Sequence, residues 1–257
     1  MRLSVSVLCL VLFAACGDEN GDSDSPQEHD DKEHENEPND EPTREVACTD
    51  QSVMTLMLFD DPATGRIREE GKGDDEFTTF IDASGGGLQA SESYVYARFT
   101  EDGLKKVEIS DEEAFESNDW EIAFRRYVVR LNSGVSGPGE ITAGRTAPRT
   151  QFADLTEVPD NLEYRTEQYF TEDGCEYVTD TSGIGAPATA LSSFWSYMSC
   201  VQMTKNVYVL KVADDRHVKF EVLSYYAPEA QKVCDATGTV PMPSGAGSMR
   251  IRWAFLD

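Results

Sequence analysis

Histidine, the side chain most often used for proton transfer near neutral pH, is scarce in this chain. Three histidines occur in 257 residues, and two of them, His29 and His34, lie in an acidic N-terminal stretch. The third, His217, alternates with Val218 and Phe220 (RHVKFEV), so a strand there would turn it toward solvent with its polar neighbours. A Ser-His-Asp triad would depend on His217, and no G-x-S-x-G turn supplies its serine.

Glycine-rich segments and carboxylates supply no clear catalytic motif either. Residues 134–139 (GVSGPG) lack the Gly-Lys-Ser/Thr of a phosphate loop, and Pro138 has no backbone N–H to donate. Residues 85–87 (GGG) are an isolated run that favours a loop. Paired carboxylates can hydrolyse glycosides, but among 48 acidic residues some pair always looks suggestive. We therefore expect a protein that is not an enzyme.

Cys16 is a candidate site of lipid attachment. The sequence FAACG at residues 13–17 resembles a bacterial lipobox, in which the cysteine thiol is acylated and becomes the new N-terminus. Phe13 departs from the leucine that is usual there, so an ordinary signal peptide cut nearby is the alternative. The apolar run of residues 3–15 follows Arg2 and is shorter than the roughly 20 residues that cross a bilayer. We predict a lipoprotein signal peptide at residues 1–15.

The four cysteines beyond the signal and the anchor are Cys48, Cys175, Cys200 and Cys234. An even number in an exported chain predicts two disulfides, with three possible pairings. We favour Cys175 with Cys200, and therefore Cys48 with Cys234. Because no C-x-x-C spacing or Cys/His cluster occurs, a zinc site is not expected.

Acidic residues dominate the segment after Cys16. Residues 16–45 carry only two basic side chains, Lys32 and Arg44, among many acids and have almost no apolar side chain. Such a segment cannot bury enough surface to offset its chain entropy, so we predict a disordered tether. The whole chain has a formal net charge of −26, which argues against binding to nucleic acid.

From Val46 onward the pattern is typical of β-strands. Candidate strands lie at residues 53–59, 94–99, 120–131, 206–213, 216–226 and 248–256. Asp214 and Asp215 predict the turn of a hairpin, and alternation at residues 94–99 predicts a half-buried strand. Short helices are expected at residues 111–118, 150–155 and 187–197. We predict an all-β domain, mainly antiparallel, over residues 46–257, with loops at residues 132–200 that carry binding residues.

Two adjacent blocks carry a family resemblance. Residues 119–127 (DWEIAFRRY), followed by residues 132–139 (NSGVSGPG), resemble the HmuY family of bacterial haem-binding lipoproteins. Further matching blocks follow the family order at residues 93–99, 151–159, 206–226 and 249–255. The resemblance thus covers residues 93–255 and implies a single HmuY-like β domain.

The side chains of the first block have simpler structural interpretations. Trp120 and Phe124 are expected to be core anchors, since each aromatic side chain can bury ~150–250 Å². Arg125 and Arg126 are expected in surface ion pairs, with contact to a haem propionate as the alternative.

The resemblance implies haem held by axial side chains from loops, either histidine pairs or methionine pairs. Because no histidine lies between Val46 and Arg216, thioether ligation is the implied substitute. The segment SFWSYMSCVQM at residues 193–203 offers Met198 and Met203 with aromatic neighbours, and Met242 is a third candidate. The alternative is that these methionines fill gaps in a core.

Two functions are consistent with these observations. The resemblance implies an exported protein of the cell envelope, anchored at Cys16 to the outer membrane or cell surface. It would capture haem or a related tetrapyrrole and pass it to an outer-membrane haem receptor. The alternative is a β-domain lipoprotein of the same fold that has lost haem binding and acts as an interaction or adhesion module. The lack of histidine favours the alternative, and the task of the family favours haem capture, which we take as the main hypothesis.

Overall fold

The computed structural model describes residues 44–73, 75–87, 89–171 and 173–256. The predicted signal peptide at residues 1–15, Cys16 and the predicted tether up to residue 43 lie outside the described residues. Within the described part of the chain, none of the helices has the length and apolar character needed to cross a bilayer.

The described part of the chain forms a mainly antiparallel β fold with short helices, as the sequence predicts. Its α-helices are α1 (Thr49–Leu56) and α2 (Pro228–Thr237). Its strands are β1 (Ile67–Lys72), β2 (Phe77–Asp82), β3 (Val95–Thr100), β4 (Gly103–Val107), β5 (Ile122–Arg125), β6 (Val128–Leu131), β7 (Thr142–Arg145), β8 (Tyr164–Arg165), β9 (Trp195–Tyr197), β10 (Val201–Met203), β11 (Val207–Lys211), β12 (His217–Ser224) and β13 (Ser248–Leu256). Short 3-10 helices lie at Glu113–Phe115, Phe152–Asp154, Ser192–Phe194 and Ala213–Asp215.

Three sheets organise these strands, and the pairs within them are antiparallel. The largest has seven strands in the order β1-β2-β13-β12-β11-β7-β8, and the second has four in the order β4-β3-β5-β6. Strands β9 and β10 form a separate hairpin. The predicted hairpin β11–β12 is confirmed: Asp214 and Asp215 take φ of 60° and 56° in its turn. The predicted last strand, β13, runs over residues 248–256 between β2 and β12.

The four-stranded sheet is covered on both faces, so the prediction of a half-buried strand at residues 94–99 is wrong. Val95, Ala97 and Phe99 pack into the large core shared with the seven-stranded sheet. Tyr94 and Tyr96 on the other face pack into a second cluster, in which Leu56 of α1 also lies. Period-two alternation shows which residues share a face, but it does not show that a helix covers the second face.

The run at residues 53–59 forms the end of α1 and a following loop, and the prediction of a strand there is wrong. Ser52 and Leu56 of α1 are buried and lie four residues apart, which is one turn of a helix. A short apolar run does not distinguish a strand from a buried helical turn.

Further elements differ from the sequence prediction. The helix predicted at residues 187–197 is wrong, because only a 3-10 helix at Ser192–Phe194 forms there and strand β9 follows it. Residues 120–131 form two strands, β5 and β6, because Arg126 adopts a left-handed φ of 56° between them. Helix α2 was not predicted, although Pro228 in its first turn and Gly238 at its C-cap with φ of 72° are ordinary signals for helix ends.

The disulfides join different cysteines from those that the sequence favoured. Cys48 pairs with Cys175 at a Cα–Cα distance of 5.5 Å, and Cys200 pairs with Cys234 at 6.1 Å. The first bond ties the start of α1 to the loop at residues 171–176, and the second ties β10 to α2. The predicted pairing is therefore wrong, because pairing follows the proximity of these elements in the fold rather than spacing along the chain.

Candidate functional site

An open groove of about 360 Å³ lies at one end of the fold. The turn between β5 and β6, the β9–β10 hairpin, the end of β12 and the loop after α2 surround it. Four tyrosines contribute to its lining: Tyr127, Tyr197, Tyr225 and Tyr226. We refer to this feature as the aromatic groove. Its volume falls at the lower end of the roughly 300–1,000 Å³ that small-molecule sites occupy.

The aromatic rings of the groove support one another. The ring of Tyr127 lies 5.0 Å from the ring of Trp195 and 6.2 Å from that of Tyr225. Tyr225 in turn lies 4.7 Å from Tyr226, whose hydroxyl accepts a hydrogen bond from the backbone N–H of Val201 at 3.2 Å. Burial raises the pKa of Tyr225 to about 12 and also raises the pKa of Tyr127. These phenols are therefore neutral at physiological pH and present apolar ring faces.

Two exposed thioethers accompany the aromatic groove. Met198, 69% exposed, occupies the tip of the β9–β10 hairpin between the groove residues Tyr197 and Ser199. Met242, 83% exposed, lies in the loop between the groove residues Val240 and Ser244. Exposed methionines do not contribute to a core, so burial does not explain the choice of these side chains.

The hairpin tip and the loop after α2 approach each other closely. The position that a Cβ atom would take on Gly238 lies 3.6 Å from the carbonyl oxygen of Met198. Of the eight large hydrophobic side chains that the structure shows as exposed, four are Met198, Met242 and the groove residues Ile184 and Tyr197. This concentration of exposed apolar surface makes the groove the candidate binding site.

Met203, which the sequence analysis offers as a ligand together with Met198, lies inside the protein. It faces Trp195 across the β9–β10 hairpin, is 8% exposed and belongs to the large core. Its backbone N–H donates a hydrogen bond to Asp235 of α2 at 3.0 Å. The structure thus places Met198 and Met242 on exposed segments, close in sequence to residues that line the aromatic groove, and Met203 in the packing beneath the hairpin.

Arg126 is the cation at the edge of the aromatic groove. It is half-buried and donates a hydrogen bond to the carbonyl oxygen of Gly87 at 2.6 Å. Among the residues that the structure describes, Arg126 forms no ion pair with a carboxylate. Its guanidinium can therefore bind the carboxylate of a ligand in the groove.

Arg125, by contrast, has a structural role, so the expectation of a surface ion pair is wrong for it. Its side chain is 5% exposed and pairs with the buried Asp111 at 3.3 Å. It also donates hydrogen bonds to the carbonyl oxygens of Leu56 and Met57, which fix the end of α1. Consecutive residues of a strand point to opposite faces, and β5 ends at Arg125. Because Arg126 begins the left-handed turn that follows, the two arginines have different surroundings. Trp120 and Phe124 are fully buried core anchors, as predicted.

Sequence reasoning missed most of the walls of the groove. Tyr127, Tyr225 and Ile184 come from three segments far apart in the chain. Tyr127 and Tyr225 lie in the blocks at residues 119–127 and 206–226, but nothing in those blocks shows that the two rings meet. The one signal in the sequence was the adjacent pair Tyr225-Tyr226 at the end of a predicted strand. His217 is half-buried on β12. In the described part of the chain, no group of three or more His, Cys, Asp or Glu side chains is arranged to hold a metal ion.

The sequence model of a family described as HmuY protein matches residues 90–237, more than half of the chain. The match includes the four-stranded sheet, the β9–β10 hairpin and α2, and eight of the eleven residues that line the groove fall within it. Among curated proteins, none matches this sequence significantly.

Several solved structures are similar to this chain. One, from Bacteroides fragilis, is described as a lipoprotein and has 15% identity and a TM-score of 0.44, with 72% of this chain and 94% of that chain covered. One from Bacteroides vulgatus, described as a HmuY-like heme binding protein, has 18% identity and a TM-score of 0.44, with 70% and 91% covered. The apo HmuY analog of Tannerella forsythia has 16% identity and a TM-score of 0.39, with 77% and 100% covered.

Proposed function

The chain belongs to the HmuY protein family, and from this premise we propose that it captures haem or a related tetrapyrrole in the aromatic groove. The observation that carries the proposal is the pair of exposed thioethers, Met198 and Met242, beside a groove lined by tyrosine rings. Haem offers a flat apolar macrocycle that ring faces can contact, and its iron accepts a thioether as an axial ligand.

The two exposed methionines are suitable ligands for the haem iron. Met198 and Met242 lie in two different segments that contribute residues to the groove, the β9–β10 hairpin and the loop after α2. We assign them as the axial ligands, with Met203 as the other candidate partner of Met198, since it lies on the same hairpin but would have to leave the core. A pair of methionine ligands removes the need for a histidine ligand, and no histidine lies between Val46 and Arg216.

Arg126 is assigned to a propionate of the haem. It lines the aromatic groove and carries a positive charge, and the hydrogen bond to Gly87 is the only one that its side chain forms among the described residues. A guanidinium can hold a carboxylate through two parallel hydrogen bonds, which would fix the orientation of the macrocycle.

The proposal includes delivery at the cell envelope. Acylation of Cys16 would anchor the chain to the outer membrane or cell surface, and the acidic tether at residues 16–45 would extend through repulsion of its like charges. Bound haem would then pass to an outer-membrane receptor. The support for this part is the signal-like sequence at residues 1–15 and the lipobox-like sequence around Cys16.

Titration of the purified protein with haemin, followed by absorbance in the Soret region, tests binding and ligand type together. We expect saturable binding that Met198→Ala and Met242→Ala each weaken by about tenfold or more, since each removes one axial ligand. Met54→Ala is the matched control, because Met54 is 67% exposed on α1 and does not line the groove. Met203→Leu keeps the core volume, so weaker haemin binding in this variant would show that Met203 is a ligand of the iron.

The competing function is an interaction module that has lost haem binding. It predicts no spectral change with excess haemin, while circular dichroism still reports the folded β domain. That result would exclude haem capture and leave the family fold with another task, since a fold does not determine a function.

A further inference from the structure

A second cavity, of about 300 Å³, lies between the seven-stranded sheet and the segment at residues 190–193. Its polar lining residues are Arg145, Glu163, Arg165, Ser192, Ser193 and Tyr208, and we call it the arginine cavity. It shares no lining residue with the aromatic groove. The proposal below does not depend on haem binding.

Strand register places both arginines on one face of the sheet. Arg165 of β8 faces Ala143 of β7, and Arg145 lies two residues further along β7, so the two side chains are diagonal neighbours. Diagonal neighbours have Cβ atoms roughly 7–8 Å apart, within reach of two long side chains that converge on one ligand. Arg145 also faces Tyr208 of β11, which brings the phenol to the same face.

The two guanidinium groups are not neutralised by the protein. Among the residues that the structure describes, neither Arg145 nor Arg165 forms an ion pair, although the chain has 48 acidic residues. Burial raises the pKa of Tyr208, and the positive charges of both arginines oppose that rise, so both act on its hydroxyl. The like charges of Arg145 and Arg165 on neighbouring strands repel each other, and an anion bound between them would offset this repulsion.

The other groups of the cavity supply hydrogen-bond donors and one opposing charge. The hydroxyls of Ser192 and Ser193 are half-buried at the cavity, and Tyr208 donates only a long hydrogen bond of 3.4 Å, to the carbonyl oxygen of Leu191. Glu163 also lines the cavity but forms no ion pair with either arginine in the described structure. Its charge would weaken, without cancelling, the attraction for an anion.

We propose that the arginine cavity binds a small oxyanion, a phosphate or a carboxylate, through the guanidinium groups of Arg145 and Arg165. Both ligand classes present the paired acceptor oxygens that a guanidinium binds with two parallel hydrogen bonds. The serine hydroxyls can donate to the remaining oxygens. The arginine cavity is lined mainly by charged and hydroxyl-bearing residues, whereas the aromatic groove is lined by tyrosine rings, so the two sites serve different ligands.

Calorimetric titration of the full chain with phosphate, and separately with succinate, tests this site at constant ionic strength. We expect saturable binding of at least one of them, which identifies the source of the oxyanion. The double variant R145Q/R165Q should weaken that binding by about tenfold or more, because it removes both charged donors. Glu163→Gln should tighten it by a few-fold, because it removes the opposing charge.

The charge-matched control is the double variant R66Q/R149Q, which removes two exposed arginines that do not line the cavity. It should bind the oxyanion as the native chain does. Amide chemical-shift changes at Ser192 and Ser193 on addition of the oxyanion to the native chain test the site without any substitution. No binding of either anion, equal loss in the control, or shifts confined to other regions would each overturn the proposal.

Discussion

Glu167 shows how burial alone sets the behaviour of a single residue. Its carboxyl group is fully buried, and burial raises its pKa to about 8. The backbone N–H groups of Leu131 and Ala190, and the charge of Arg130, oppose this rise without cancelling it. The carboxyl links β6 to the segment at residue 190, so its protonation is coupled to the packing of that region.

The raised pKa of Glu167 predicts a pH dependence of stability. Between about pH 4.5 and about pH 8 the folded state retains a proton that the unfolded state has lost. The contribution of Glu167 to the free energy of unfolding is therefore complete below about pH 4.5 and is lost as pH rises to about 8. Urea unfolding across this range should show a decline of up to about 1.4 kcal/mol per pH unit from this group.

Glu167→Gln should remove that decline, because glutamine does not titrate. The absolute stability of the variant is less informative, since its amide nitrogen cannot accept the hydrogen bond that one carboxyl oxygen accepts now. Glu157→Gln, at an exposed position, is the control that removes the same charge. An unchanged pH slope in Glu167→Gln would contradict the prediction.

At the scale of elements, the contact between α2 and the β9–β10 hairpin supports one wall of the aromatic groove. The disulfide Cys200–Cys234 joins β10 to α2, and Gln231 of α2 donates a hydrogen bond to the carbonyl oxygen of Val201 at 2.9 Å. Met198 lies two residues before Cys200, and Met242 lies in the loop that α2 leads into. The relative position of the two thioethers therefore depends on this contact.

We predict different effects for removal of the two disulfides. The double variant C200S/C234S should lose about 2–5 kcal/mol of stability and also bind haemin several-fold more weakly, because the hairpin is no longer tied to α2. The double variant C48S/C175S should lose a similar stability but keep the haemin affinity of the native chain, since neither cysteine lines the groove. Denaturant unfolding and haemin titration of both variants test the prediction, and equal weakening of haemin binding would contradict it.

At the scale of the whole molecule, net charge opposes the encounter with haem. The chain carries a formal charge of −26, and the propionates of haem are also negative. Repulsion between like charges slows association, and salt screens it over a distance that falls from ~30 Å at about 10 mM to ~10 Å at about 100 mM ionic strength. Arg126 provides positive charge only at the edge of the groove.

We therefore expect the association rate of haemin to rise a few-fold over this range of ionic strength, as measured by stopped-flow absorbance. The dissociation rate should change less, because it depends on contacts within the groove. A rate that falls as salt is added would mean that the local charge of Arg126 controls the encounter, and Arg126→Gln should then abolish the salt effect.

The sequence determined the features of this protein that depend on neighbouring residues. Alternation at residues 248–256 was enough to predict β13, and Asp214-Asp215 was enough to predict the turn of the β11–β12 hairpin. The blocks at residues 119–127 and 132–139 identified the family, and the composition gave the strongly acidic net charge.

Tertiary structure decided which distant residues meet. The cysteine pairing, the burial of Met203 and the proximity of Met198 and Met242 to one groove all depend on how α2 and the β9–β10 hairpin pack. The same holds for Arg145 and Arg165, which share a cavity only because β7 and β8 pair at the edge of the sheet. A local pattern reports the conformation of a few neighbouring residues, whereas a site requires side chains from separate segments, and their approach is set by the packing of the whole domain.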